Sequence, residues 1–185
     1  METTVKPTTL NTRRIVVAGV LGAIAILLGW TRLGFIPVPN LAANATIMHI
    51  PAIIGGVMEG WLVGMIVGGL FGIFSFIQAT TPLFKNPLVA ILPRLLIGVT
   101  AYYSYAALKN RNEYLALGVA AIVGTLTNTF GVLFLAGIFN YIPWALMPPI
   151  LVTNALPEVI IAAILTIAIV TAWKRIEGGA SEAKM

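Results

Sequence analysis

The 185-residue sequence contains no cysteine and no aspartate, and it has a single histidine, His49. The missing cysteines exclude disulfides, thiolate metal ligands and cysteine nucleophiles, and one histidine is too few for a multi-histidine metal site. No lysine follows a glycine, so there is no phosphate-binding P-loop, and the HExxH motif of metalloproteases is also absent. These absences predict a protein that is not an enzyme and that would depend on another subunit for ATP hydrolysis.

Charged residues are also scarce. They make up 9% of the chain, whereas a typical soluble domain contains about 25%. Hydrophobic residues make up 59%, and the mean hydropathy is +0.98. A soluble protein of this size could not cover its surface with so few charges. The composition therefore predicts an integral membrane protein.

Six apolar segments are candidates for helices that cross the lipid bilayer, which takes about 20 apolar residues, with a range of about 17–25. The segments are 14–30, 46–58, 61–77, 88–108, 114–138 and 149–173. The second is short and contains His49 and Pro51, so we expect it to enter at an angle or to be broken. We predict an all-α bundle of six transmembrane helices over 14–173, with tails at 1–13 and 174–185.

The basic residues predict the orientation of the bundle, because lysine and arginine are enriched in cytoplasmic loops. With the N terminus inside, Arg32 and Lys85 lie in outer loops. Eight basic residues then lie on the inner side: Lys6, Arg13, Arg14, Lys109, Arg111, Lys174, Arg175 and Lys184. Both termini of this multi-pass cell-membrane protein are therefore predicted to be cytoplasmic. The net charge of +5 follows this pattern, which is not that of a nucleic-acid-binding protein.

Small residues at four-residue spacing mark two of the candidate helices. In lipid, such residues permit close contact between helix backbones. The first segment has two overlapping pairs, Ala18–Gly22 and Gly19–Ala23, and their spacing fits both packing within the chain and docking to a partner. In the third segment, a stripe of glycines favours packing within the bundle: Gly60, Gly64, Gly68 and Gly72.

Four polar residues lie inside candidate helices, where each costs free energy unless it is paired or faces a cavity. They are Arg94, Asn128, Asn154 and Glu158. Each lies between the outer end of its helix and the membrane midplane. This common depth favours a polar ligand cavity in the outer half of the membrane. When the cavity is empty, we expect Arg94 to interact with Glu158 or with Asn154 and Asn128. The alternative is an internal Arg94–Glu158 ion pair that braces the bundle.

The predicted outer loops are longer and richer in proline and hydrogen-bonding groups than the inner turns. They comprise residues 31–45, 78–87 and 139–148. Because long loops on a rigid scaffold often carry binding residues, the functional end is expected to face outside. Asn40, Gln78 and Trp144 are candidate ligand contacts at the cavity rim. His49 is expected to be a hydrogen-bonded structural residue.

Over residues 12–175 the sequence resembles the substrate-binding S components of energy-coupling factor (ECF) vitamin transporters. The most specific stretches are RRIVVAGVLGAIAILLG, MHIPAIIGGVMEGWLVGMIVGGLFG, NPLVAILPRLLIGVTAYY, GTLTNTFGVLFL and NALPEVIIAAI. Within that family, the TLTNT and LPE stretches look most like the branch assigned to pantothenate and similar small polar vitamins.

The resemblance implies that the chain captures a vitamin between the outer halves of its helices, under the first loop. No cofactor is expected. It also implies a transmembrane coupling subunit and two ATP-binding subunits as partners. In the family, an Ala-x-x-x-Ala face on the first helix contacts the coupling subunit, and Gly19 and Ala23 match it here. Glycine replaces the first alanine, so the neighbouring Ala18–Gly22 register stays open.

The vitamin itself is left open by the residues. Arg94 suits a carboxylate, because a guanidinium can donate two parallel hydrogen bonds to it. Pantothenate has a carboxylate, but so do folate, biotin and nicotinate, and cobalamin or pyridoxine carriers are further alternatives. Outside this family, the alternatives are a structural membrane scaffold and a membrane enzyme of lipid metabolism, which the lack of aspartate and of histidine pairs disfavours.

Overall fold

The structure, a computed structural model, describes residues 10–37 and 44–182, with side chains up to residue 177. Lys6, Asn40 and Lys184 lie outside these ranges. In chain order the elements are α1 (Thr12–Trp30), β1 (Phe35–Pro37), β2 (Asn44–Thr46), α2 (Ile50–Glu59), α3 (Trp61–Ile77), α4 (Pro87–Leu108), α5 (Glu113–Ile138), a 3₁₀ turn (Trp144–Leu146) and α6 (Met147–Glu182). The helical class predicted from composition is confirmed.

Four helical segments of the described residues are long and apolar enough to cross a membrane: α1, α4, α5 and Trp144–Glu177. Helix α3 has 17 residues and α2 has only 10. At a rise of 1.5 Å per residue, α2 is about 15 Å long, half the thickness of the hydrocarbon core. The expectation of a short second segment is confirmed, whereas six complete crossings stay a prediction.

Two features differ from the all-α expectation and its boundaries. The loop between α1 and α2 contains a short antiparallel hairpin, in which Phe35 of β1 lies opposite Thr46 of β2. Helix α6 does not end near residue 173 but continues through Lys174 and Arg175 to Glu182. Hydropathy locates the membrane boundary, whereas lysine, arginine and glutamate are good helix formers, so the helix continues past the apolar segment.

Asparagine caps fix where three of the helices begin. The side chains of Asn11, Asn86 and Asn112 each accept a hydrogen bond of 2.9–3.0 Å from a backbone N–H two or three residues later. These bonds satisfy N–H groups that the first helical turn leaves without partners. The cap at Asn86 starts α4 two turns before Arg94, and thus sets the depth of that side chain.

Glycines bring the backbones of α2, α3 and α4 into direct contact. A Cβ atom added to Gly64 would lie 2.7 Å from the Cα of Gly98 on α4 and 2.8 Å from the Cα of Gly56 on α2. Gly68 and Gly72 face the α4 backbone in the same way. The predicted packing role of the α3 stripe is confirmed for these residues, whereas Gly60 forms the turn between α2 and α3 at a φ of 109°.

We expect Gly64→Ala to destabilise the protein by about 1–3 kcal/mol, because an added methyl group has no space between the helices. Gly19→Ala is the matched control, since a Cβ there meets nothing within 4 Å and alanine favours a helix. The measurement is thermal unfolding of both variants in detergent. Equal unfolding temperatures for the two variants would contradict this close packing.

Ion pairs join several helix ends on one side of the bundle. The Arg13 Nη2 of α1 lies 3.0 Å from Glu59 Oε1 at the end of α2, and 2.6 Å from Glu177 Oε1 on α6. Lys174 of α6 pairs with Glu113 in the first turn of α5. The start of α1, the start of α5 and the ends of α2 and α6 therefore share one end of the bundle. The hairpin, which joins the opposite ends of α1 and α2, lies at the other end.

Candidate functional site

A cavity of about 360 Å³ lies at the hairpin end, between β2, α4, α5, α6 and the loops after α3 and α5. This volume is within the usual range of small-molecule pockets, about 300–1,000 Å³. Arg94, Asn128, Asn154 and Glu158 all line it. The structure thus brings together the four polar residues that share a membrane depth in the sequence. We call this space the ligand cavity.

Arg94 is held in place from several directions. Its Nη1 donates a 2.7 Å hydrogen bond to the backbone carbonyl of Val89. That carbonyl has no helical partner four residues later, because Pro93 lacks an N–H. The guanidinium also lies 4.8 Å from the ring centre of Phe84 and 5.4 Å from that of Phe71, within cation–π distance.

These contacts leave Arg94 with unused donor capacity. The residue is only 4% exposed, and its Nε has no hydrogen-bond partner within the described part of the chain. The Arg94 side chain donates its hydrogen bond to a carbonyl of its own helix, and not to Glu158 or the asparagines as expected from the sequence. A buried donor without a partner costs about 1–3 kcal/mol. A ligand that supplies an acceptor would remove that cost.

Glu158 connects three elements around the cavity. One carboxylate oxygen accepts the backbone N–H of Thr46 in β2, and the other accepts the hydroxyl of Thr129 in α5, each at 2.7 Å. Among the ion pairs of the described residues, none joins Glu158 to Arg94 within 4.0 Å. The direct Arg94–Glu158 ion pair considered from the sequence is therefore absent, since both side chains bind other groups.

The polar residues of α5 divide into two layers. Asn128 faces the ligand cavity, and its Oδ1 has no hydrogen-bond partner within residues 10–37 and 44–182. One helical turn away, the Thr125 hydroxyl lies 2.9 Å from the Nε2 of His49, which is fully buried. His49 does not line the cavity, so the expectation that it is a hydrogen-bonded structural residue is confirmed.

Two of the three predicted rim residues, Gln78 and Trp144, do not line the described part of the cavity. Gln78 caps the C-terminal end of α3 with its side chain exposed. Trp144 packs edge-on against Phe134 of α5 and is 54% exposed. Neither belongs to the described cavity lining, and Asn40 lies outside the described residues.

Sequence reasoning missed several cavity residues, among them Thr46 and Phe84. Thr46 contributes its backbone N–H, a group that every non-proline residue has and that gives no sequence signal. Phe84, in the loop after α3, lines the cavity and covers Arg94. The sequence shows that Phe84 lies in a proline-containing loop, but its contact with Arg94 depends on how that loop folds.

The small residues of α1 face in two directions. Ala18 and Gly22 are buried, and a Cβ added to Gly22 would collide with Leu70 of α3. Gly19 and Ala23 are exposed. They lie on an apolar surface, which we call the α1 outer face, together with the exposed side chains of Ile15, Val16, Val20, Ile24 and Leu27. Only the Gly19–Ala23 register is therefore accessible to a partner.

Two comparisons with known proteins bear on this arrangement. The family model described as "ECF transporter, substrate-specific component" matches residues 13–170. The chain is also 38% identical over 154 residues to the pantothenic acid transporter PanT of Lactococcus lactis subsp. cremoris (strain MG1363). That alignment covers 69% of this chain and 76% of the relative. The matched region includes the α1 outer face and every polar residue of the ligand cavity named above.

Proposed function

The chain belongs to the family of ECF transporter substrate-specific components, and from this premise we propose that it binds pantothenate in the ligand cavity. It is a membrane subunit that captures a vitamin for uptake. The observation that carries the proposal is the buried Arg94, whose Nε has no partner in the described structure and which lines a cavity of suitable size. The similarity to PanT adds support for this particular vitamin.

The chemistry of pantothenate matches the polar groups of the cavity. Its carboxylate can accept two parallel hydrogen bonds from the Arg94 guanidinium. Its hydroxyl groups and amide N–H are donors, and they suit acceptors such as Asn128 Oδ1 and the Glu158 carboxylate. The apolar lining, which includes Val132, Leu133 and Ile150, suits the dimethyl-substituted carbon of the vitamin.

Arg94 is oriented before the ligand arrives. The Val89 carbonyl and the Phe84 ring hold the guanidinium, so binding freezes little additional side-chain motion. Less ordering on binding leaves more of the interaction energy as affinity. This preorganisation supports a role for Arg94 as the anchor of the ligand carboxylate.

We expect purified protein to bind pantothenate and to bind biotin, nicotinate and folate at least tenfold more weakly. All four ligands carry a carboxylate, so the difference reports how the hydroxyl and amide groups fit the acceptors of the cavity. The measurement is isothermal titration calorimetry in detergent with each vitamin. Tighter binding of another vitamin in this panel would contradict the proposal.

The proposal includes a coupling subunit that docks on the α1 outer face and two ATP-binding subunits that drive transport. Gly19 and Ala23 permit close approach of a partner helix, and the surrounding exposed side chains are apolar. The sequence has no P-loop, so ATP hydrolysis is assigned to other subunits.

The proposed topology has six passes and cytoplasmic termini. It is supported by the ion pairs that gather the ends of α1, α2, α5 and α6 on one side, where basic residues are abundant. In this arrangement α2 is a half-length pass that follows the outer hairpin. The ligand cavity then opens towards the outside.

Because the chain has no cysteine, single-cysteine variants test this topology directly. We expect Lys85→Cys to react with a membrane-impermeant maleimide in intact cells, and Arg111→Cys to react only after permeabilisation. Both positions are exposed, so accessibility within the protein is not limiting. The reverse labelling pattern would overturn the proposed orientation.

A further inference from the structure

We propose that Glu158 determines the charge class of the ligand, by restricting the cavity to molecules with one anionic group. A ligand with a second anionic group, such as a phosphate ester of the vitamin, is excluded. This inference rests on the proposed function, because it concerns the same cavity. It assigns Glu158 a role in specificity beyond contact with the ligand.

The Glu158 carboxylate is fixed in position. The Thr46 N–H and the Thr129 hydroxyl hold its two oxygens, each at 2.7 Å. These donors come from β2 and α5, so the side chain cannot turn away without breaking a bond to a different element. A backbone N–H can only donate, so one carboxylate oxygen is an acceptor, and the Thr129 hydroxyl is the donor to the other. In its ionised form the carboxylate is therefore a stationary negative charge in the cavity wall.

Only one positive charge is available to a ligand. Of the described residues that line the cavity, Arg94 is the one cation and Glu158 is the one anion, and the others are neutral. An anionic group bound to Arg94 neutralises the charge of its guanidinium. A second anionic group in the same cavity would find no cation and would face Glu158. Like charges repel strongly in a site with little water, because screening there is weak.

The neutral groups of the cavity favour the same ligand class. Asn128 Oδ1 is a buried acceptor without a partner in the described structure. A hydroxyl or an amide N–H can donate to it, whereas a phosphate monoester carries a charge of about −1.5 to −2 and mainly accepts. The expected ligand therefore has one carboxylate for Arg94 and neutral donors for the rest of the polar wall.

The test compares two esters of the terminal pantothenate hydroxyl, the anionic 4′-phosphate and the neutral 4′-acetate. Their affinities are measured by calorimetry with wild-type protein and with Glu158→Gln, alongside pantothenate itself. We expect the wild type to bind the acetate at least tenfold more tightly than the phosphate. In Glu158→Gln, which keeps the shape and removes the charge, this ratio should fall at least tenfold. Glu113→Gln is the matched control, because it makes the same substitution at the end of the bundle opposite the ligand cavity, where Glu113 pairs with Lys174, and it should retain the preference.

Equal rejection of both esters by the wild type would show that exclusion is steric and would overturn the inference. An unchanged ratio in Glu158→Gln would do the same. If Glu158→Gln does not fold, Glu158→Met, which also removes the charge and is close in size, takes its place in the comparison. A wild type that binds pantothenate without discriminating between the esters refutes only this inference. Failure to bind pantothenate refutes the proposed function.

Discussion

Replacement of Arg94 by alanine is expected to weaken pantothenate binding by at least tenfold. Removing one partner of a buried charged hydrogen bond costs about 2–5 kcal/mol, and each 1.4 kcal/mol is about a tenfold change in affinity. Arg94→Lys should recover only part of the loss, because an ammonium group cannot donate the two parallel bonds of a guanidinium. Isothermal titration calorimetry measures both variants, and thermal unfolding checks their folding.

A double-mutant cycle separates contact with the ligand carboxylate from indirect effects. The carboxylate of pantothenate is replaced by a carboxamide, and the affinity of each ligand is measured for wild type and Arg94→Ala. We expect the amide analogue to bind both proteins with similar, weak affinity. Arg111→Ala is the matched control, because Arg111 is exposed and far from the ligand cavity in sequence and topology. Additive losses in the cycle would show that Arg94 does not contact the carboxylate.

Ala23→Leu is expected to abolish coupled uptake of pantothenate while leaving ligand binding intact. The added side chain would project from the α1 outer face and keep a partner helix at a distance. Ala23 is exposed and does not line the ligand cavity, so the affinity of the purified variant should equal that of the wild type. Uptake is measured as growth on trace pantothenate in cells that also produce the coupling subunit and the two ATP-binding subunits.

Ala168→Leu is the matched control for this experiment. Ala168 is an exposed residue of α6, so the same change in size is made on a different helix. Normal growth with Ala168→Leu and no growth with Ala23→Leu would locate docking at α1. Normal growth with Ala23→Leu would move the docking surface elsewhere. Equal loss of uptake and of ligand binding would show that Ala23 stabilises the fold.

The polar cavity could be predicted from the sequence because lipid leaves few places for a polar side chain. Arg94, Asn128, Asn154 and Glu158 each had to face the interior of the bundle, and their common depth placed them in one layer. The bond between Arg94 and Val89 was also foreseeable in principle. A proline at position 93 frees the carbonyl four residues earlier, at the start of the same helix.

Other features depend on tertiary contacts that local sequence does not encode. The two registers of small residues on α1 are equivalent in spacing, and only the packing of Gly22 against Leu70 distinguishes them. The path of the loops after α3 and α5 determines that Phe84 reaches the cavity whereas Gln78 and Trp144 do not. A backbone donor such as the Thr46 N–H has no signature in the sequence.

The structure of the protein with pantothenate bound is the most direct test of the central claim, that Arg94 anchors the vitamin in the ligand cavity. The measured quantities are the distances from the pantothenate carboxylate to Arg94 and from its hydroxyl groups to Glu158 and Asn128. We predict that the carboxylate lies within hydrogen-bond distance of the Arg94 guanidinium, and that the hydroxyl end points towards Glu158 or Asn128. Pantothenate bound outside this cavity, or with its hydroxyl end at Arg94, would contradict the account.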